Sequence, residues 1–293
     1  MRKPNFFIVG SMKSGTSTLH SILSLHPDVF MSEPKEPSFF VCHEDLKRLW
    51  PEMAKQKYSF DETSYLELFR NAGDSRIVGE SSSNYTKLPH APGVAKRISE
   101  FSPGAKILYV IRNPVGRTIS HYWHAVKREG ETRSIDEAIK SDPIYLDVSN
   151  YARQIQEYMN YFEKDNIRVI TLEEYSKSPA DTMKGIFNWL GIDDNVVPDN
   201  LGLRNHVTPK TVRRQRKLGF LNRINFRPVY NYIRPVIPRS VRKAGRNILL
   251  PGVDRDSVET KEVIDFIMRI QKEQITNLRE ILGRDFPEWE IER

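Results

Sequence analysis

The chain has 293 residues, 39% hydrophobic and 28% charged, an ordinary composition for a globular protein long enough to bury a sizeable core. No apolar run approaches the ~20 residues needed to cross a bilayer, and Cys42 is alone, which excludes an internal disulfide and makes a reducing cytoplasm the expected compartment. The net charge of +7 is local, because thirteen Lys and Arg and no Asp or Glu fall between Arg204 and Arg246, leaving the remainder net acidic.

The opening "MRKPNFFIVG" has too short an apolar run for an export signal, and residues 5–9 read as a buried first strand. Residues 17–25 follow as a helix with apolar Leu19, Ile22, Leu23 and Leu25. "HPDVF" turns the chain into the polar, proline-marked "MSEPKEPSFF", and 43–71 reads as mostly helical with an interruption at Pro51. "RIVGE" is a short strand and "GVAKRISEF" a helix. "AKILYVIRNP" is a dense apolar strand stopped by an Arg-Asn-Pro turn, and "VGRTISHYWHAVKR" continues it as a helix. The helix "NYARQIQEYMNYFEK", the strand "IRVITL" and the helix "PADTMKGIFNWLG" complete an alternation that implies an α/β fold, a mainly parallel sheet with helices on both faces. Residues 204–252 break the pattern with prolines and the basic cluster and read as a lid or excursion. The last element is a long amphipathic helix, "SVETKEVIDFIMRIQKEQITNLREILG", with apolar Val263, Phe266, Ile267, Ile270, Ile275, Leu278 and Leu282 expected to pack on the sheet. The expected organisation is one domain, 1–293, carrying that excursion.

Two motifs carry chemistry. "GSMKSGTST" nearly matches the phosphate loop G-x-x-x-x-G-K-[ST], with Gly10 and Gly15 correctly separated between a strand and a helix. Thr16 stands where that motif needs lysine, and the lysine has moved into the loop at Lys13. Backbone N–H groups and a helix N-terminus there suit a phosphate, and Lys13 suits the bridging oxygen of a shorter anhydride. In "ILYVIRNPVGRTISHYWH", a strand-end arginine, Arg112, is followed eight residues on by Ser120, a pairing that suits a second phosphate. Two anion sites at one sheet edge fit a nucleotide with phosphate on both its 5′ and 3′ sides.

On these residues the chain resembles sulfotransferases that use 3′-phosphoadenosine 5′-phosphosulfate (PAPS), of the broad family that includes the heparan-sulfate enzymes. The resemblance implies the phosphate-loop-kinase-like sulfotransferase fold, with PAPS as cosubstrate, 3′-phosphoadenosine 5′-phosphate (PAP) as product and no metal requirement. It implies 5′-phosphosulfate contacts from Lys13, Ser14, Gly15, Thr16, Ser17 and Thr18, and 3′-phosphate contacts from Arg112 and Ser120. "SNYARQIQEYMNYF" is similar to the segment whose tyrosine, Tyr151, lies near the adenine, and "LREILGRDFPEW" to the family's C-terminal helix and tryptophan. A late basic loop closes over the 3′-phosphate in the family, which points to Lys210, Arg213 or Arg214 in "RNHVTPKTVRRQRK", with Lys210 taken as the contact.

Sulfuryl transfer to a hydroxyl or amine needs a base for the acceptor proton and positive charge on the leaving phosphate oxygen. Lys13 fits the second role. For the first, "HPDVFMSEPKEPSFF" resembles the heparan-sulfate enzymes, where a glutamate shortly precedes a Phe-Phe pair; this carries the role onto Glu36, with Glu33 a close competitor. Glu80 reads as structural, and Ser81 replaces the lysine the family has after that glutamate. His121 and His124 read as surface or packing residues of the helix after Arg112. The acceptor class is a small molecule or a carbohydrate. Two rival functions remain at this level: a nucleoside triphosphate-dependent kinase on a related fold, against which the displaced lysine argues, and a basic protein binding nucleic acid or lipid through 204–246. The intact anion motifs argue against nucleic acid as the partner; peripheral membrane contact through 204–246 stays compatible with an enzyme.

Overall fold

The computed structural model describes residues 2–196, 201, 211–213, 252–254 and 258–289. Its elements are β1 (Phe6–Gly10), α1 (Thr16–Leu23), β2 (Val29–Met31), α2 (His43–Leu49), α3 (Pro51–Ala54), α4 (Glu62–Glu67), β3 (Ile77–Ser81), α5 (Val94–Phe101), β4 (Lys106–Ile111), α6 (Pro114–Arg128), α7 (Ile135–Ser141), α8 (Ile144–Asp147), α9 (Tyr151–Met159), β5 (Ile167–Thr171), α10 (Leu172–Lys177), α11 (Pro179–Leu190), β6 (Thr211–Arg213), β7 (Gly252–Asp254) and α12 (Lys261–Leu282). The chain divides into two compact units, Met1–Thr118 with Ile144–His206 and Ile267–Arg293, and Ile119–Pro143 with Val207–Phe266.

In the first unit, five parallel strands form one sheet in the order β2-β3-β1-β4-β5. Side chains alternate across the strands, so Phe7, Val9, Val78, Ile107 and Tyr109 enter one apolar cluster while Phe6, Ile8, Ile77, Leu108 and Val110 enter the other. Helices cover both faces, as a parallel sheet requires. Ile22 and Leu23 of α1 and Ile186 and Phe187 of α11 cover one side, while Ile98 of α5, Ile155 of α9 and Leu278 of α12 cover the other. Strand β1 lies between β3 and β4, with Ile8 opposite Ser81 on one side and Leu108 on the other. The chain leaves β1 for α1 on one face and reaches β4 through the other, so the crevice beyond the carboxyl ends of these three strands is where such sheets bind ligands.

In the second unit, β6 pairs antiparallel with β7. The Trp123 indole donates to Glu259 Oε1 at 2.7 Å, the Tyr122 hydroxyl donates to the Arg133 carbonyl at 2.9 Å, and Lys140 lies over the Phe266 ring.

Several expectations shift. The "HPDVF" stretch, read as a turn, runs into the edge strand β2, whose three residues are too few to show alternation. Residues 43–71 form separate short helices, with Pro51 opening α3 at a position where its missing N–H costs nothing. Ile270, expected on the buried face of the last helix, is 48% exposed, while Ile267 and Leu278 are fully buried. Among the described residues, no helix is long and apolar enough to cross a membrane.

Candidate active site

The loop after β1 begins at Gly10, whose φ of 146° and closeness to Thr86 both demand glycine, since a Cβ would fall 2.0 Å from Thr86 Oγ1. Ser11 N then donates to the Val110 carbonyl of β4 at 2.6 Å, the Ser11 and Ser14 hydroxyls share a 2.7 Å bond, and Ser14 N closes onto Ser11 O at 3.2 Å. Lys13 (φ 70°) and Gly15 (φ 89°) are left-handed. The conformation suits glycine but costs a lysine about 1 kcal/mol, which the surrounding bonds must offset. Helix α1 starts directly at Thr16 with no side-chain cap and no acidic residue in its first turn. Thr18 N donates to the Gly15 carbonyl at 3.0 Å, while the first N–H groups, at Thr16 and Ser17, and the positive dipole end face an external anion site. Ser14, Thr16 and Thr18 are buried in this turn, and Lys13, Gly15 and Ser17 are half-buried.

Arg112 follows β4, and its Nη1 donates to the Lys13 carbonyl at 3.4 Å, which brings the guanidinium to the same loop. The absence of a side chain at Gly116 leaves that guanidinium room, since a Cβ there would stand 3.3 Å from Arg112 Nε. Asn113 caps α6 by accepting from Val115 N (3.0 Å) and Gly116 N (3.3 Å), and its Nδ2 donates to the Trp289 carbonyl (3.2 Å). Glu173 accepts from Asn113 N (3.1 Å) and from the Trp289 indole (3.3 Å). Tyr151 is fully buried, its ring set against Tyr109 and Trp289 and its hydroxyl donating to the Arg112 carbonyl at 2.7 Å. Burial pushes that hydroxyl up to about 12. The sequence reading sets Tyr151 beside an adenine; its hydroxyl is spent on holding Arg112. Arg117 is buried one helical turn further on, bonded to Ser149 Oγ (2.5 Å) and the Tyr145 carbonyl. Burial draws it down to about 10. Ser120 is buried in α6 and belongs to the second unit. Lys210 and Arg214 lie outside the described residues, as does the 204–246 tract apart from 211–213.

Glu36 reaches the same end of the sheet from the opposite side of β1. Its N–H donates to the Ser81 carbonyl at 2.9 Å, and its Oε2 accepts from Ser83 N (2.7 Å) and Ser83 Oγ (3.2 Å), while Oε1 pairs with Lys35. Because Ser81 sits opposite Ile8 of β1, these contacts place the Glu36 loop beside the end that carries the Lys13 turn. His20 of α1 links the two electrically: burial first, then Lys35, lower its pKa to about 4, against the opposing pull of Glu36. Glu36 is partly buried and Glu33 exposed. The Ser81 hydroxyl is buried with no hydrogen-bond partner among the described residues. Of the supporting residues, Asn113 lies in the Arg-Asn-Pro turn and Trp289 closes "FPEW", whereas Glu173, Lys35 and Ser83 carry no sequence signal.

The description "Sulfotransferase domain" belongs to the family whose model matches residues 3–216. Heparan sulfate glucosamine 3-O-sulfotransferase 6 of Mus musculus is 28% identical over 203 residues, covering 65% of this chain and 53% of that protein. The bifunctional heparan sulfate N-deacetylase/N-sulfotransferase 2 of Homo sapiens is 26% identical over 208 residues, covering 65% of this chain and 22% of its own length. The match thus spans about half of the first relative and less of the second. A crystal structure of a sulfotransferase from Alicyclobacillus acidocaldarius superposes with a TM-score of 0.72 at 26% identity, over 99% of both chains.

Proposed function

The chain belongs to the sulfotransferase family, and from that premise we propose that it moves the sulfuryl group of PAPS to a hydroxyl or amine of a carbohydrate or small-molecule acceptor. The carrying observation is the uncapped N-terminus of α1 behind a loop whose Lys13 carbonyl is bonded to Arg112, so that a guanidinium and the start of a helix meet at one sheet edge. In this reading the 14–18 turn binds the 5′-phosphosulfate and Lys13 stabilises charge on the leaving phosphate oxygen. Arg112, held by Tyr151, takes the 3′-phosphate, to which the sequence resemblance also assigns Ser120 and Lys210. Glu36 accepts the acceptor's proton as the new bond to sulfur forms and the bond from sulfur to the 5′-phosphate oxygen breaks, releasing PAP. Electrons and proton balance without a further reactant.

The relatives are named for heparan sulfate, which favours a carbohydrate acceptor. We read 1–293 as one transferase domain, and the thirteen Lys and Arg between Arg204 and Arg246 suit an anionic surface. The single thiol, Cys42, fits a reducing compartment such as the cytoplasm. Thermal denaturation with PAP alone and with ATP plus magnesium tests the donor: PAP should raise Tm without added metal and ATP with magnesium much less. Equal shifts would return the kinase reading.

A further inference from the structure

Glu80 lies next to the end of β3 with none of its surface exposed. A carboxyl group so buried is tolerated only when hydrogen-bonded. Oε1 accepts from the hydroxyls of Tyr65 (2.7 Å) and Tyr85 (2.8 Å), and Oε2 from that of Ser82 (3.0 Å). All three hydroxyl protons therefore point at Glu80. Two of these hydroxyls turn their lone pairs the other way, onto amides of the loop that carries Glu36. Ser38 N donates to Ser82 Oγ at 3.0 Å, and Phe40 N makes a longer 3.4 Å contact to the Tyr85 oxygen. Tyr65 grips the same loop through its ring, stacked on Phe39 at 4.2 Å with 7° between the planes. Three consecutive loop residues are thus held by the three side chains that satisfy Glu80. The loop needs holding, because Glu36 (φ 65°) and Ser38 (φ 56°) are both left-handed, and neither is glycine.

We infer that Glu80 is a positioning residue for Glu36: by accepting the protons of Tyr65, Tyr85 and Ser82, it orients them to fix the 36–40 loop and aim the Glu36 carboxylate. This rests on the reading of Glu36 as the base. Glu80 itself meets no reacting atom. The titratable groups that face it are Tyr65 from α4, Tyr85, Tyr158 from α9 and Glu36 from the loop. Burial raises its pKa to about 7, the three hydroxyl bonds oppose the rise, and Glu36 adds to it. Once protonated, Glu80 must donate a hydrogen, so one hydroxyl has to turn and the acceptor offered to the loop amide is contested. The acidic limb of turnover should therefore carry the Glu80 ionisation.

The test uses the full chain, with PAP affinity by calorimetry and the slow hydrolysis of PAPS to water as the rate. Glu80→Gln keeps the shape of the side chain but presents an amide N–H where one oxygen was. It should leave PAP affinity within about 2-fold, slow hydrolysis by about 10-fold or more through misplacement of the base, and flatten the rise in rate through about pH 7. Ser82→Ala, which removes the acceptor of the Ser38 amide together with one donor to Glu80, should slow the rate in the same sense and carries the test should Glu80→Gln fail to fold. In a Glu36→Gln background, adding Ser82→Ala should change nothing further, since the group being aimed is gone. If Glu36→Gln slows hydrolysis while Glu80→Gln and Ser82→Ala leave both rate and pH profile unchanged, the positioning role is wrong. If Glu36→Gln itself leaves the rate intact although PAP binds, the base assignment has failed and this inference falls with it.

Discussion

The two sides of β1 are built by different means. On the α1 side, a continuous turn of backbone, Ser11 to Thr18, leads into an uncapped helix and is joined by Arg112 from the end of β4. On the β3 side, the Glu36 carboxylate is held by Lys35 and Ser83, and its loop by Ser82, Tyr85 and Tyr65 around a buried carboxyl group. An anion site made of consecutive amides leaves a motif in the sequence, because the spacing of its glycines is the structure. A site aimed by side chains converging from separate elements leaves almost none.

If the two sides are separable, substitutions on the acceptor side should change turnover and spare nucleotide binding. The largest effect belongs to Glu36→Gln, which should lower turnover by about 100-fold or more, as loss of a general base does, with PAP binding nearly intact. Exposed Glu33→Gln should keep most activity; if it abolishes turnover while Glu36→Gln retains it, the two roles are exchanged. On the nucleotide side, Arg112→Ala should cost about 2 kcal/mol or more of PAP affinity by removing a charge-assisted pair. Adenosine 5′-phosphosulfate, which lacks the 3′-phosphate, should barely notice the change, and equal weakening of both ligands would remove Arg112 from the 3′ site.

Tyr151→Phe removes the hydroxyl that holds the Arg112 carbonyl, so it should cost about 1 kcal/mol of stability and a few-fold in PAP affinity. A loss as large as that of Arg112→Ala would mean that Tyr151 meets the nucleotide directly. The smallest effect is on pH dependence, at the seam between the two sides. His20 is held neutral in the fold with its pKa lowered to about 4 from 6.5, so only the unfolded chain takes up its proton in between. Stability should fall as pH drops from 6.5 toward about 4, and His20→Gln should reduce that slope in melting curves. An unchanged slope would show that burial does not hold His20 neutral in the fold.

Much of the sheet was legible because its signals are local. The apolar run of β4, the Arg-Asn-Pro stop and the Gly10 to Gly15 spacing each fit inside a window of about ten residues. β2 was not, since three residues on an edge show no period, and α7, α8 and α10 are too short to show a helical one. At the site, the Arg112 guanidinium donates to the Lys13 carbonyl. Tyr151 sits behind Arg112, because its hydroxyl has a backbone carbonyl to satisfy, a fact no sequence pattern records. Glu80 read as structural from the sequence, and its link to the Glu36 loop emerges only when Tyr65, Tyr85 and Ser82 are brought onto one carboxyl group.

The Trp289 contacts set an order of events for a growing chain. Asn113 and Trp289 are 176 positions apart, yet the first caps α6 beside Arg112 and the second, with Glu173, fastens it. At translation speeds of about 5–20 residues per second, β1 to β5 clear the ribosome several seconds before Trp289 is made. A nascent chain can therefore assemble its sheet while the arginine end still lacks its last fastener. Stalled chains released just short of residue 289 should show native-like circular dichroism and a weakened preference for PAP over its 3′-dephosphorylated form.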